Sequence, residues 1–186
     1  MRVTGGAVGG TNLRSPKSAG VRPTTDLVRS ALFNILATYG VEDSRVVDFF
    51  AGTGALGIEA LSRGAAHAEF VELDHRQVDV IRENLKVTKL ADRATVVVGD
   101  VRRVLAHLTP GYDFILMDPP YTDPFPADIV ENIGDIELLC DGGIAIVGHA
   151  SRVEAPGRCG LMHRLQDRRY GDASLAFYRR EAEVAI

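Results

Sequence analysis

The chain has 186 residues, 46% of them apolar and 25% charged, with a formal net charge of −4. That is the size of one domain with enough apolar side chain to bury a core. No apolar run approaches the roughly 18–20 residues of a membrane-spanning helix, so an integral helical membrane protein and a disordered chain are both excluded. The start, MRVTGGAVGG, lacks the apolar stretch of a secretory signal, and the chain is expected to stay in the cytosol. Cys140 and Cys159 have no partners at disulfide-framework or zinc-ligand spacing, so they read as reduced, inert thiols, and no metal is implied. The charge is uneven. Residues 1–25 hold Arg2, Arg14, Lys17 and Arg22 and no acid, which leaves 17 of the 21 basic residues against all 25 acids in the rest of the chain. A basic arm on an acidic body can meet nucleic acid locally, because phosphate contacts are short-range in salt.

Residues 1–23, rich in Gly, Ser and Pro, read as an irregular arm or short hairpin. From Thr24 the spacing of Leu27, Val28, Ala31, Leu32, Ile35 and Leu36 predicts an amphipathic helix, capped by Thr24 or Thr25 and ended by Gly40. Strands are expected at 45–50, 68–73, 94–98, 112–117 and 143–148. Helices are expected at 55–64, about 75–89, 101–107 and around 125–139. This alternation means right-handed crossovers and a parallel sheet covered on both faces. Residues 161–180, with SLAFYRR and no helix after it, break the rhythm and read as an antiparallel hairpin on the sheet edge.

Ligands of open parallel sheets bind beyond the carboxyl ends of the strands, and four acids stand at those ends: Asp48, Glu72, Asp100 and Asp118. Each singly has a structural reading as a helix cap or a solvated acid. The four together concentrate like charge on one rim, which calls for a cationic or donor-rich ligand. Between the first strand and its helix, Gly52, Gly54 and Gly57 satisfy Gly-x-Gly-x-x-Gly, and Glu72 follows the first of them by 20 residues, as in dinucleotide-binding proteins. A pyrophosphate, however, seeks a helix N-terminus without a carboxylate beside it. S-Adenosylmethionine carries an ammonium and a sulfonium and no phosphate, so acids suit it. Glu72 would accept from its ribose hydroxyls and Asp100 from its adenine amine.

After the fourth strand come Asp118, Pro119, Pro120 and Tyr121. Two prolines fix the backbone and remove two N–H donors, leaving the Pro119 carbonyl free to face a pocket. An exocyclic base amine is a poor nucleophile because its lone pair is delocalised into the ring. If the Asp118 carboxylate and Pro119 carbonyl accept its two N–H groups, the nitrogen pyramidalises and the lone pair turns toward an incoming methyl. Tyr121 offers a face on which the base can stack.

These blocks give the chain a resemblance to the RsmD family of small-subunit ribosomal RNA methyltransferases, which act on a guanine N2 amine of 16S rRNA. The resemblance is carried by Arg22-Pro23-Thr24, the run from Asp48 to Ala65, FVELD from Phe70 to Asp74, Asn84, Gly99-Asp100, DPPY at 118–121 and Tyr170-Gly171-Asp172. It implies a class I, Rossmann-like S-adenosylmethionine-dependent methyltransferase fold, with seven strands, mostly parallel, and an antiparallel C-terminal hairpin. Residues 24–186 would form the single catalytic domain behind the 1–23 arm. Cofactor contacts would fall on Thr24, Asp48, Gly52, Gly54, Glu72, Leu73, Asp100 and Val101, and catalysis on Asp118, Pro119, Pro120 and Tyr121. The partner would be 16S rRNA in an assembling small subunit, met by a monomer through Arg2, Arg14, Lys17, Arg22, Arg168, Arg169 and Tyr170. The chain departs from the family pattern at Gly9 and Thr11, where arginines are common, and at Gly148-His149, where a glutamate is usual. His149 itself reads as a locally satisfied sheet-end histidine. Three other readings compete: a DNA or RNA adenine-N6 or cytosine-N4 methyltransferase, a dinucleotide oxidoreductase that leaves DPPY and Asp48 unexplained, and a catalytically silent RNA-binding protein.

Overall fold

A computed structural model describes residues 1–15, 25–120 and 124–180. Helix α1 (Asp26–Leu36) starts at Thr25, whose hydroxyl accepts from the Val28 amide at 3.3 Å. It buries Val28, Leu32, Phe33 and Leu36 and runs through a short 3-10 turn to Gly40, at φ 87°. The strand–helix alternation then follows as β1 (Arg45–Phe49), α2 (Ala55–Ser62), β2 (His67–Glu72), α3 (His75–Thr88), β3 (Ala94–Val98), α4 (Val101–Val104), β4 (Tyr112–Met117), α5 (Ala127–Asp135) and β5 (Leu139–Ala150). Three antiparallel strands close the chain: β6 (Arg158–Cys159), β7 (Met162–Tyr170) and β8 (Ala173–Arg180). The sheet order is β3-β2-β1-β4-β5-β8-β7-β6, with the first five strands parallel.

Alternation along each strand divides the core. On one face Val46, Phe70, Leu116, Ile146, Leu175 and Phe177 meet α1 and α2; on the other Val47, Phe49, Ile115, Ala145 and Val147 meet α5. The expected hairpin is β7–β8, turning at Gly171-Asp172 with Gly171 at φ 64°. Two boundaries differ from expectation. The sheet has eight strands, not seven, because Gly160 at φ 54° folds the buried Cys159 back to pair with Met162. Helix α5 stops at Asp135 and β5 begins at Leu139, well before residue 143. Glu137 in left-handed conformation reverses the chain there, so the apolar pair Leu138-Leu139 that resembled a helix end enters the sheet side of the core. The register then shifts between Tyr112 and Phe114, which absorbs the extra residues.

The N-terminal residues fold back as a small hairpin. Arg2 bridges Asn12, the Val3 amide donates to the Thr11 carbonyl, and Val3 and Leu13 are buried. Its tip sits on the end of α2, where the Ala7 amide donates to the Ser62 carbonyl and the Ser62 hydroxyl to the Gly5 carbonyl. Beneath it lies a buried ion cluster. Glu59 accepts from the Thr4 amide and hydroxyl, both at 2.7 Å, from Arg63 Nε at 2.8 Å and from Arg29 Nε at 3.4 Å. Arg29 also donates to the Arg2 carbonyl and to Asp26. Among the described residues no helix is long and apolar enough to cross a membrane.

Candidate active site

Strand β1 leads into α2 and toward β2 on one side, while β4 leads toward β5 on the other. The crevice of the sheet therefore opens above the carboxyl ends of this adjacent pair. Asp48 lies there, on the face shared with Leu116 and Phe70, and is buried with 1% exposure. One oxygen accepts from the Gly57 amide at 2.9 Å, so the carboxylate caps α2, whose N-cap residue, Gly54, has no side chain to do it. Burial holds the Asp48 carboxyl well above the ordinary carboxylate range; the Gly57 bond opposes this, and Asp118 and Glu72 push the same way as burial.

The glycine loop allows close approach. Gly54 takes φ 76° where the chain turns into α2, and a Cβ at Gly57 would stand 2.3 Å from the Phe70 ring, so the helix lies directly on β2. Gly52 has no atom nearer than 3.9 Å to a would-be Cβ, leaving open space above the loop. Its amide donates to Glu72 Oε2 at 2.7 Å, and the Asp74 amide donates to Oε1 at 2.9 Å. Glu72 thus stands fixed across two loops with lone pairs to spare. Leu73 beside it is 64% exposed. Asp100 caps α4 by accepting from the Arg102 amide at 2.8 Å, and Val101 is buried beneath. The structural readings of Asp48 and Asp100 as caps therefore hold together with their place on the rim.

Asp118 is half-buried at the end of β4, Pro119 is buried and Pro120 exposed. Leu32, Leu56, Leu116, Asp118, Ile146 and Gly148 line a shallow cleft that opens to solvent. A Cβ at Gly148 would fall 2.5 Å from Asp118 Oδ1. A side chain at 148 would make the Asp118 carboxylate turn aside, so the Gly148 departure leaves room for its present orientation. A second shallow hollow lies behind the turn, against Pro119, Pro120, Phe125, His149 and Val153. His149 is 5% exposed, within 3.3 Å of Asp167 through Nε2 and edge-on to Phe125, a satisfied sheet-end histidine.

The basic candidates do not form one patch. Arg168, Arg169 and Tyr170 end β7 beside Leu175, Ser174 and Ala173, which in turn pair with Gly148, His149 and Ala150. Arg168 therefore shares the rim and face of Asp118, about 14 Å away across three strands. Arg2 is exposed and 3.8 Å from Asp26, and Arg14 pairs with Glu83 at 2.6 Å. Lys17, Arg22, Thr24 and Tyr121 lie outside the described residues.

Three groups escaped sequence reasoning. Glu59 and Arg63, at helical i,i+4 spacing with the acid inside an otherwise apolar run, were the available signal for the buried cluster. Asn84, fully buried, donates to the Thr53 and Arg14 carbonyls and accepts from the Arg14 amide at 2.7 Å, tying the glycine loop to the arm. The third is the pair Arg102–Asp128, for which spacing gave no hint.

The strand order, the glycine turn beneath an acidic rim and the Asp-Pro-Pro turn across from it define a methyltransferase of the class I, Rossmann-like fold. A family model described as Conserved hypothetical protein 95 matches residues 1–179. The chain is 36% identical over 188 residues to Ribosomal RNA small subunit methyltransferase D of Escherichia coli strain K12, covering 98% of this chain and 91% of that protein. It is 34% identical to YlbH of Bacillus subtilis, provisionally named an rRNA methyltransferase, over 97% of this chain and 99% of that one. Among solved structures, Escherichia coli yhhF, provisionally assigned as a methyltransferase, superimposes with a TM-score of 0.86 at 33% identity, covering 98% of this chain and 99% of that chain. The chain belongs to the family of Conserved hypothetical protein 95, the RsmD family of the sequence comparison.

Proposed function

We propose that the protein transfers a methyl group from S-adenosylmethionine to the exocyclic N2 amine of a guanine in small-subunit ribosomal RNA. The observation that carries this reading is the buried Asp48 carboxyl, set against Asp118 and Glu72 with only one amide to offset the repulsion. Such a crevice is costly until a cation enters it. The residues present fit the donor: open space over Gly52, a fixed acceptor in Glu72, the exposed Leu73 as an apolar rest beside it, and Asp100 and Val101 at the next strand end. When bound, S-adenosylmethionine supplies an electrophilic methyl on a positively charged sulfur.

The chain's own contribution lies on the acceptor side. Asp118 and the Pro119 carbonyl accept the two amine hydrogens, hold the nitrogen lone pair in line, and stabilise the positive charge that grows on nitrogen as the new bond forms. The proton left on nitrogen passes to Asp118 or to water. Tyr121 would stack on the base. Arg168, Arg169 and Tyr170 on the same rim, with Arg2, Arg14, Lys17 and Arg22 from the arm, would contact phosphates. The names of the relatives support ribosomal RNA of the small subunit as substrate. The need for the base to leave its stack favours a partly assembled particle. The test is incubation with tritiated donor and small subunits from cells lacking this activity, followed by mapping of the labelled base. Label on a guanine N2 is the expected result; label on an adenine or cytosine amine would transfer the reading to the rival chemistry, and no label would refute it.

A further inference from the structure

Two short helix starts flank the crevice on the face opposite α1 and α2. Helix α4 is one turn long and begins at Asp100; α5 begins at Ala127, directly after the segment that leaves the Asp-Pro-Pro turn. A helix of one turn has no stability of its own, so what it is tied to fixes its orientation. Val101 and Leu105 anchor it in the core shared with α5, and Arg102 adds a directed tie at the surface. Its amide donates to Asp100 Oδ1 at 2.8 Å, while its guanidinium donates through Nε to Asp128 Oδ2 at 2.7 Å and through Nη2 to Asp128 Oδ1 at 3.2 Å. This is a two-pronged contact between residues 26 apart in sequence, the geometry in which an arginine–carboxylate pair defines direction as well as distance. Both side chains are more than half exposed, so the pair adds little to stability. The same arginine holds Asp128 below the usual carboxylate range, so the tie stays charged at neutral pH. On the α5 side, Phe125 sits edge-on to His149 and tilted against Tyr178, which carries the position of α5 to the wall behind Pro119.

We propose that Arg102 and Asp128 are positioning residues, whose ion pair sets the distance between the Asp100 end of the crevice, where the donor lies, and the turn that holds the acceptor amine. The inference rests on the methyl-transfer reading. Misplacement of reacting groups by about 1 Å can cost on the order of 100-fold in rate, whereas loss of an exposed pair barely moves stability. The pair therefore reveals itself in kcat and not in folding.

The experiment compares Asp128→Asn, which keeps the size of the side chain and removes its charge, with Arg102→Gln and with the swapped double variant Arg102→Asp/Asp128→Arg, using tritiated S-adenosylmethionine and unmodified small subunits. Each single variant is expected to lose about tenfold or more in kcat, with donor Kd by calorimetry within about threefold and Tm within about 4 °C of wild type. The swap should recover most of the lost kcat. Undiminished kcat in both singles overturns the proposal. So does a joint loss of kcat, donor affinity and Tm that the swap fails to repair, since that is the mark of a merely structural contact. Wild-type protein run in parallel separates the two readings: absence of transfer by wild type refutes methyl transfer itself.

Discussion

The protein buries carboxylates in two places and treats them in opposite ways. Under the N-terminal hairpin, Glu59 is fully buried but meets two arginines and both donors of Thr4. Above β1, Asp48 is equally buried but meets one amide and two further acids. A buried charge completed by the protein's own groups is part of the fold. One left incomplete, at the crevice of an open sheet, is a place prepared for something from outside. The difference teaches where to look for the ligand's charge: among the described residues no cation meets Asp48, which favours the proposed cationic donor.

Substitutions can break this contrast, the largest effect falling on chemistry. Asp118→Ala should cut turnover by about 100- to 1000-fold or more while donor Kd by calorimetry stays within about threefold of wild type, because the role proposed for Asp118 is toward the acceptor. Equal turnover would refute its role. At the other pole, Glu59→Ala strands Arg29 and undocks Thr4, and chemical denaturation should register a loss of about 3–5 kcal/mol. A loss below about 1 kcal/mol would show that the cluster is not what fastens the hairpin.

Asp48→Asn sharpens the comparison because its two effects have opposite signs. Asparagine retains an oxygen for the Gly57 amide and removes the repulsion, so the ligand-free protein gains stability. Each unit by which the Asp48 pKa is raised corresponds to about 1.4 kcal/mol, or a Tm increase of about 3–6 °C for a chain of this size. The sign follows from linkage. A carboxyl whose folded pKa lies above its unfolded value costs stability as pH rises from the unfolded pKa to the folded one, the cost is complete above the folded pKa, and it is gone below the unfolded one. The variant's advantage should therefore be present at neutral pH and vanish on acidification, while its affinity for the donor drops. A variant less stable than wild type at neutral pH would contradict the account. The smallest effect belongs to the rim: Arg168→Ala should reduce the slope of log affinity for RNA against log salt by about 1, and an unchanged slope would remove Arg168 from the interface.

Much of the fold was legible because it is written in local periods: five apolar strands alternating with amphipathic helices, glycines at the first turn, and an acid at the end of each of the first four strands. The parts that were not legible depend on contacts between distant residues. Leu138 and Leu139 looked like the end of a helix until the left-handed turn at Glu137 put them in the sheet. The Gly148 departure had no sense in sequence, and acquires one when residue 148 is found beside Asp118 across two paired strands. Asn84 stood in a shared motif without a role, because the backbone groups it holds, at Thr53 and Arg14, lie 31 and 70 residues away. The acids of the rim were visible one by one; that Asp48 meets no cation among the described residues is a property of their assembly.

The most direct measurement is a calorimetric titration with S-adenosylmethionine at mildly acidic pH in two buffers of different ionisation enthalpy. The account predicts one-to-one binding with net release of protons, as the cation drives Asp48 to its charged form. Net proton uptake, or a protein that ignores S-adenosylmethionine and binds NADH instead, would contradict it.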